Sequence, residues 1–468
     1  MLLSAGAPLE GLALTKACSS QNLDLVRLLL DAGVNPNLDV LPGRWKMRGP
    51  PLVEVINSDN NAFFEEAAPL LLNAGARAVE ERYQDEPVLH LAVDRERPFV
   101  LQKLVETGVP IDICDEIGRT ALHLAILSKG PGMELTCREL LRLNASTAQV
   151  GERRASALHT ACGAENYWMA RHLIELDGRR DINARDCNSQ TPLMWAIIRD
   201  WSDPPREYLT TPTRFLNYWN DMRGKNLTPT RAGYDSIAES PSNSEIITFL
   251  LDNGASVDAI DCQKRNPLHW AAIMGNADIV SALLGHRADV DAVDENRQTA
   301  LHLAVIHSAV GCMKVLLAAG ANPNAIDTAP TTDRIRASLL RHEFGTKCRV
   351  QEMPLHLAFK KPGQHKLCEM VQLLLEAGAN IFGRNFNGET CLHIAAKGGN
   401  TTAVQELIYS NFYGNMYLSI KDNVGRSARD WAEQMGHRKV AELLETAESQ
   451  NPLGPRSRGG SVIAYFNV

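Results

Sequence analysis

Apolar residues recur along this chain in two alternating phrases. The first is built on Leu-His: VLHLAV from Val88, ALHLAI from Ala121, ALHTAC from Ala157, PLHWAA from Pro267, ALHLAV from Ala300, PLHLAF from Pro354 and CLHIAA from Cys391. The second follows about twenty residues later and ends at glycine: LLLDAGV from Leu28, LLLNAGA from Leu70, LLDNGA from Leu250, LLAAGA from Leu316 and LLLEAGA from Leu373. His90 and His123 are 33 residues apart, as are His269 and His302. One period therefore holds two helices.

Each phrase has a mechanical use. Thr191 and Thr299 stand where a helix N-cap is wanted, and Pro192 suits a first helical position, where a missing N–H costs nothing. Small residues such as Ala271 and Ala272 let neighbouring first helices approach closely, and the leucine pairs give the second helix an apolar face. Gly254 and Gly320 follow that helix, where a left-handed stop is easiest for glycine. A single unit cannot bury its apolar faces alone, so stability has to come from stacking.

These residues resemble the ankyrin repeat, a pattern of about 33 residues in which a β-turn precedes two helices and which carries a T-P-L-H-x-A signature. The likeness runs from about Leu2 to Leu444. It implies an all-α fold, a solenoid of helix–turn–helix units with β-turn fingers, about 11–12 units over residues 1–445. Some units depart from the pattern: Thr15, Val53, Met194 and Asp430 stand in place of the histidine. The opening MLLSAGA reads as the end of a second helix, which leaves either an N-terminal half-repeat or an incomplete start. The last helices carry a polar face, with Glu433, Arg438 and Glu442 among others, suited to a cap; residues 446–468 lack periodicity and read as a disordered tail.

Composition narrows the function. A chain of 468 residues, 44% hydrophobic and 22% charged, has the make-up of a folded protein too long for one core. Its net charge of −7 gives no overall pull toward nucleic acid or anionic lipid. The ten cysteines never form C-x-x-C and read as reduced thiols used as small apolar residues. No apolar run approaches the roughly 18 residues of a membrane span, and no basic residue precedes the apolar start as a signal peptide requires. Cytoplasm or nucleus is the expected compartment.

The histidines might suggest metal or acid–base chemistry, but successive units of a solenoid stand about 10 Å apart, too far for one zinc ion with bonds near 2 Å. They read as structural, bonding turn to helix. No phosphate-binding loop, nucleophile elbow, zinc-protease or kinase phrase occurs, so no catalytic residue, metal or cofactor is expected.

Function then rests on surfaces. The resemblance implies binding of a protein partner through the finger tips and the exposed side of the first helices. On the regular units this selects Glu116, Ile117 and Arg119; Gln263, Arg265, Ile273 and Met274; Glu295, Asn296, Gln298 and His307; and Phe386, Asn387, Glu389 and Lys397. Three insertions add candidates. Residues 38–50 place Trp45 between Arg44 and Lys46, either a binding anchor or a cover for the weak unit that follows. Residues 201–243 carry Phe215, Tyr218 and Trp219 at helical spacing, which fits a short helix packed on the solenoid or an exposed partner-binding loop. Thr211, Thr228 and Ser240 there each precede proline, as sites where phosphate would switch a contact. Residues 328–353 carry Arg334, Arg336 and Arg341, either a solvated helical face or a surface for an acidic partner.

The leading expectation is a non-enzymatic scaffold or adaptor with a regulatory role; the alternative is a transcription coregulator that acts through a DNA-bound partner. An adaptor for ubiquitin transfer would carry a further domain after its repeats, for which the 23 residues after Glu445 are few. Direct nucleic-acid binding conflicts with the net charge.

Overall fold

The computed structural model describes residues 11–37, 50–76, 82–83, 86–115, 118–128, 130, 132–148, 154–177, 179–198, 243–328, 351–360, 366–409 and 417–449. The chain divides into two compact bodies, Met1–Asp261 and Cys262–Val468. The first holds six helix pairs among its described residues: α1 (Gly11–Ser19) with α2 (Leu23–Asp31), α3 (Pro51–Ile56) with α4 (Asn61–Asn73), α5 (Val88–Asp94) with α6 (Pro98–Glu106), α7 (Ala121–Leu127) with α8 (Met133–Arg142), α9 (Ala157–Gly163) with α10 (Tyr167–Asp177), and α11 (Pro192–Ile198) with α12 (Asn243–Asp252). The second holds five: α13 (Pro267–Met274) with α14 (Ala277–Gly285), α15 (Ala300–Ile306) with α16 (Val310–Ala318), α17 (Pro354–Lys360) with α18 (Leu367–Glu376), α19 (Cys391–Lys397) with α20 (Thr401–Tyr409), and α21 (Ala428–Gln434) with α22 (Arg438–Ser449).

Within each body the helices stack in register. First helices pack on first helices, α5 on α7 and α7 on α9 in one body, α13 on α15, α15 on α17 and α17 on α19 in the other. Alanines make this possible: Ala92, Ala125, Ala161, Ala271, Ala304, Ala358 and Ala395 are fully buried between backbones. Second helices supply larger side chains to the same core. Leu104, Leu140, Leu250, Leu283, Leu316 and Leu374 occupy one equivalent position and are wholly buried, each contributing about 1.5–3 kcal/mol of transfer free energy.

The helix ends follow from their residues. Asn22, Asn60 and Asn276 cap second helices by accepting the amide of a residue in the first turn. Gly254 and Gly320 follow second helices at φ +93° and +89°, a left-handed stop closed by a bond from the next amide, Ala255 or Ala321, back to Leu250 or Leu316. Arg287 holds the same place after α14 at φ +66°, with a Cβ that glycine would spare.

The fold is the all-α helix-pair array expected, with one addition. The finger before α5 is closed by two short antiparallel strands, β1 (Arg82–Tyr83) and β2 (Glu86–Pro87), Arg82 opposite Pro87 and Tyr83 opposite Glu86. The final helix runs to Ser449, so the ordered array continues past the expected boundary at residue 445. The opening MLLSAGA, the 38–49 insertion with Arg44, Trp45 and Lys46, residues 199–242 with Phe215, Tyr218 and Trp219, residues 329–350 with Arg334, Arg336 and Arg341, and the segment from 450 onward lie outside the described residues.

Candidate protein-binding face

The recurring histidine sits at the third residue of seven of the first helices, α5, α7, α9, α13, α15, α17 and α19, and joins two units. In α7, α9, α15 and α19 the capping hydroxyl of Thr120, Ser156, Thr299 or Thr390 lies 2.8–2.9 Å from Nδ1 of His123, His159, His302 or His393. The amide of each capping residue also donates to that Nδ1, at 3.1–3.3 Å. Because an amide can only donate, Nδ1 accepts and Nε2 carries the proton. Nε2 then donates across to the unit that follows: His123 to the carbonyl of Ala155, His159 to Gln190, His269 to Gln298, His302 to Glu352, His356 to Gly383 and His393 to Arg426, at 3.0–3.3 Å.

Burial holds His123, His159, His269, His302 and His356 down at about 4, so they are neutral at pH 7. Burial likewise pushes the thiols of Cys18, Cys137, Cys312 and Cys391 up to about 12, which leaves them protonated.

The fingers are built around an acid or amide eight residues before the histidine position. Asp186, Asp294, Asn385 and Asp422 each accept, through Oδ1, the amides of the residues two and four further on, at 2.7–2.9 Å. Their own amides donate to the carbonyl four residues on, at 2.9–3.0 Å. Asp186 and Asp422 use the second carboxylate oxygen to accept from the indole N–H of Trp195 (3.1 Å) and Trp431 (2.8 Å).

The same pair of bonds survives across the third insertion. The amide of Asp327 donates to the Glu352 carbonyl and the Glu352 amide to Asp327 Oδ1, both at 2.9 Å. Residues 328–351 therefore replace the three tip residues of an ordinary finger. Gln298 Nε2 reaches Asp327 Oδ2 at 3.1 Å, and Lys360 Nζ pairs with Glu352 at 2.5 Å. Burial, with the Glu352 charge added, pushes the Asp327 carboxyl up to about 7.

Adjacent tips are joined by backbone. In the second body the Glu295 amide donates to Gln263 (2.9 Å), the Thr328 amide to Asn296 (2.7 Å) and the Asn423 amide to Asn387 (3.0 Å). Asn423 Nδ2 also donates to the Phe386 carbonyl at 3.0 Å. Every such bond fixes the spacing and orientation of two neighbouring tips.

On this frame the sequence candidates separate. Glu295 is exposed, Gln263, Met274, Asn296, His307 and Asn387 are half-buried, and Phe386 is 60% exposed on its tip. Arg265 and Gln298, expected at the surface, are buried to 7% and 8% exposure. Their position at the base of the finger turns them inward: Arg265 stands 4.0 Å from Asp294 and 5.2 Å from the Trp270 ring, and Gln298 bonds Asp327. Ile273 and Glu389 are likewise buried; Glu389 pairs with Lys397 at 3.3 Å, just as Glu352 pairs with Lys360. Arg119 bonds Asp115 at 2.6 Å within its own finger. Glu116 and Ile117 lie outside the described residues.

Val424 and Lys360 were missed from sequence, and Lys397, expected at the surface, is half-buried. Val424, 70% exposed, stands on the tip bonded to that of Phe386. Lys360 and Lys397, each eight residues after a buried glutamate, put two basic ends on successive first helices, and Lys397 and Arg426 both sit over the Trp431 ring at 4.4 and 4.6 Å. The repeated Glu-x7-Lys spacing signals the pair; nothing in the sequence marks Val424, since its exposure follows from the tip geometry. Among the described residues no set of three or more His, Cys, Asp or Glu is placed to hold a metal ion, and no helix is long and apolar enough to cross a membrane.

Comparison with known proteins agrees with this geometry. Residues 236–327 and 338–451 match the family model described as ankyrin repeats (3 copies), and residues 89–130 match ankyrin repeats (many copies). Human ankyrin repeat and SOCS box protein 16 is 31% identical over 39% of this chain and 40% of its own length. Human ankyrin repeat domain-containing protein 63 is 35% identical over 21% of this chain and 25% of its own length. A Caenorhabditis elegans homolog of transient receptor potential cation channel subfamily A member 1 is 36% identical over 20% of this chain, which covers 7% of that protein. The chain thus spans well under two thirds of the relatives it matches. Among solved structures, the ankyrin repeat domain of Bcl-3 aligns over 63% of this chain and all of its own, with 22% identity and a TM-score of 0.43. From the family models, and from units that repeat the same cap, finger and histidine bond, the chain belongs to the ankyrin-repeat proteins.

Proposed function

We propose that this chain is a non-enzymatic scaffold that regulates a protein partner by holding it on the finger tips and first helices of residues 262–449. The support is two sets of tips bonded to their neighbours through backbone, one displaying Glu295 and Asn296, the other Phe386 and Val424. Rigid display of exposed aromatic and aliphatic groups beside polar ones lowers the ordering cost of binding and suits an interface with an apolar centre and polar rim. Lys360 and Lys397 add a basic strip whose charge is set against buried Glu352 and Glu389. The partner is accordingly a protein segment with apolar anchors.

The test is affinity purification of the full chain beside the double variant Phe386→Asp/Val424→Asp, with mass spectrometry of retained proteins and circular dichroism to show that both fold. A partner held by the parent and lost by the variant supports the assignment. Retention of the same proteins by both moves the site elsewhere, and retention by neither sinks the scaffold reading. Fractionating the cells first separates a nuclear role in transcription from a cytoplasmic one.

A further inference from the structure

The outer face of the first body carries an apolar stripe that its repeats do not require. Phe99, Leu135 and Trp168 each stand five residues before the buried leucine of a second helix, Leu104, Leu140 and Leu173, so they occupy one equivalent position on α6, α8 and α10. Phe99 is 77% exposed and Leu135 62%. Trp168 is half-buried, with Arg138 of α8 over its ring at 5.4 Å and His172 stacked on it at 5.4 Å. Elsewhere this position is polar or small: Asp24, Glu66, Glu245, Asp278, Glu369 and Lys439 fill it on other second helices. Burial inside the array therefore never selects an apolar residue here. Three in succession mark a surface that is covered by something.

The chain supplies a matching segment. Phe215, Tyr218, Trp219 and Met222 recur at i, i+3, i+4 and i+7, the spacing of one helix face, with Leu216, Asn217, Asn220 and Asp221 between them. The insertion that carries them leaves after Ile198 and returns at Asn243, within the same body. Its return leads into α12, whose Phe249 ring meets Tyr167, the neighbour of Trp168, edge-on at 5.6 Å. Both arms are long: 17 residues from Ile198 to Phe215 and 21 from Met222 to Asn243. Extended chain covers about 3.3 Å per residue, and packed helices stand about 8–10 Å apart, so either arm reaches across α10, α8 and α6 with slack. A tethered segment also competes at an effective concentration in the roughly millimolar range, which an outside partner seldom matches.

We propose that the Phe99–Leu135–Trp168 stripe, on the outer face of the third to fifth units, is the docking surface for this chain's own segment around Phe215–Met222.

Hydrogen exchange of the full chain tests this with two variants, Phe99→Ser/Leu135→Ser on the exposed stripe and Phe215→Ser/Tyr218→Ser/Trp219→Ser on the segment. Docking predicts that the stripe variant speeds exchange in 213–222, and that the segment variant speeds it at 98–103 and 133–138, by at least roughly threefold in each case. Residues 213–222 exchanging at unstructured rates in the parent would overturn the proposal. So would segment substitutions that leave the stripe unchanged. Sedimentation supplies the remaining arm: a parent dimer made monomeric by the stripe variant would show that a second copy, not the segment, occupies the surface.

Discussion

At the scale of single residues, the histidine is a coupling part between units. Its buried ring is held at about 4 in five units, below the ordinary value of about 6.5. A depressed folded-state value means stability that is complete above the unfolded value and lost as pH falls toward the folded one. Thermal melting should therefore move to lower temperature between pH 6.5 and 4, and flat melting temperatures over that window would refute the assignment. His269→Ala should cost about 2–4 kcal/mol, since it strands the Asn266 amide and leaves the Gln298 carbonyl with only the Asp294 amide, as well as emptying a packed site; chemical denaturation measures it. Asp327 runs in the opposite direction. Its value is raised, so its contribution is present at low pH and is lost as pH rises through about 7. Asp327→Asn keeps an oxygen for the Glu352 amide and should remove this residue's share of the stability lost between about pH 4 and 7, read from denaturation at both ends. The histidine was legible in the sequence by period alone. The finger acid, eight residues earlier in most units, was not singled out from the sequence, and Arg265 and Gln298 read as surface because polar residues in turns usually are; only the positions of Asp294 and Asp327 show why they face inward.

At the scale of elements, the helix pairs could be read from phrases and their caps, because each signal is local. The hairpin β1–β2 could not, since Arg82–Tyr83 and Glu86–Pro87 are too short to carry a period. The bonding between finger tips was equally hidden, as it uses backbone groups that any residue supplies. One residue does report it. Gly388 has φ +72°, and a Cβ there would lie 2.3 Å from the Asn423 side chain and 2.8 Å from its amide nitrogen. Gly388→Ala should thus part the last two tips and cost about 1–3 kcal/mol, with faster amide exchange at 421–427 than at 294–298. Equal exchange in both segments would mean that the bonds at Asn423 do not hold the finger.

At the scale of the whole chain, stability is spread over neighbours within each body rather than gathered in one core, since each helix packs on the pair before and after it. A core truncation should then act locally. Leu374→Ala, in α18, should cost about 2–5 kcal/mol and raise exchange most in α16, α18 and α20, while α6 and α8 in the other body keep their protection. Uniform loss across both bodies would show instead that they unfold as one. The sequence made the family readable over nearly its whole length, whereas the insertions, where it gave alternatives, are the parts that no repeat constrains.

The finger closed by Asp327 and Glu352 has a use apart from what its 24 intervening residues bind. Two bonds, one between backbones and one from the Glu352 amide to the Asp327 carboxylate, hold the chain ends together, and the stack beneath does not depend on the route between them. Lengthening a loop costs only about 0.6 kcal/mol per doubling. The site is therefore a graft point: a foreign module with adjacent termini, or a three-residue turn, can be exchanged there while both neighbouring units keep their register.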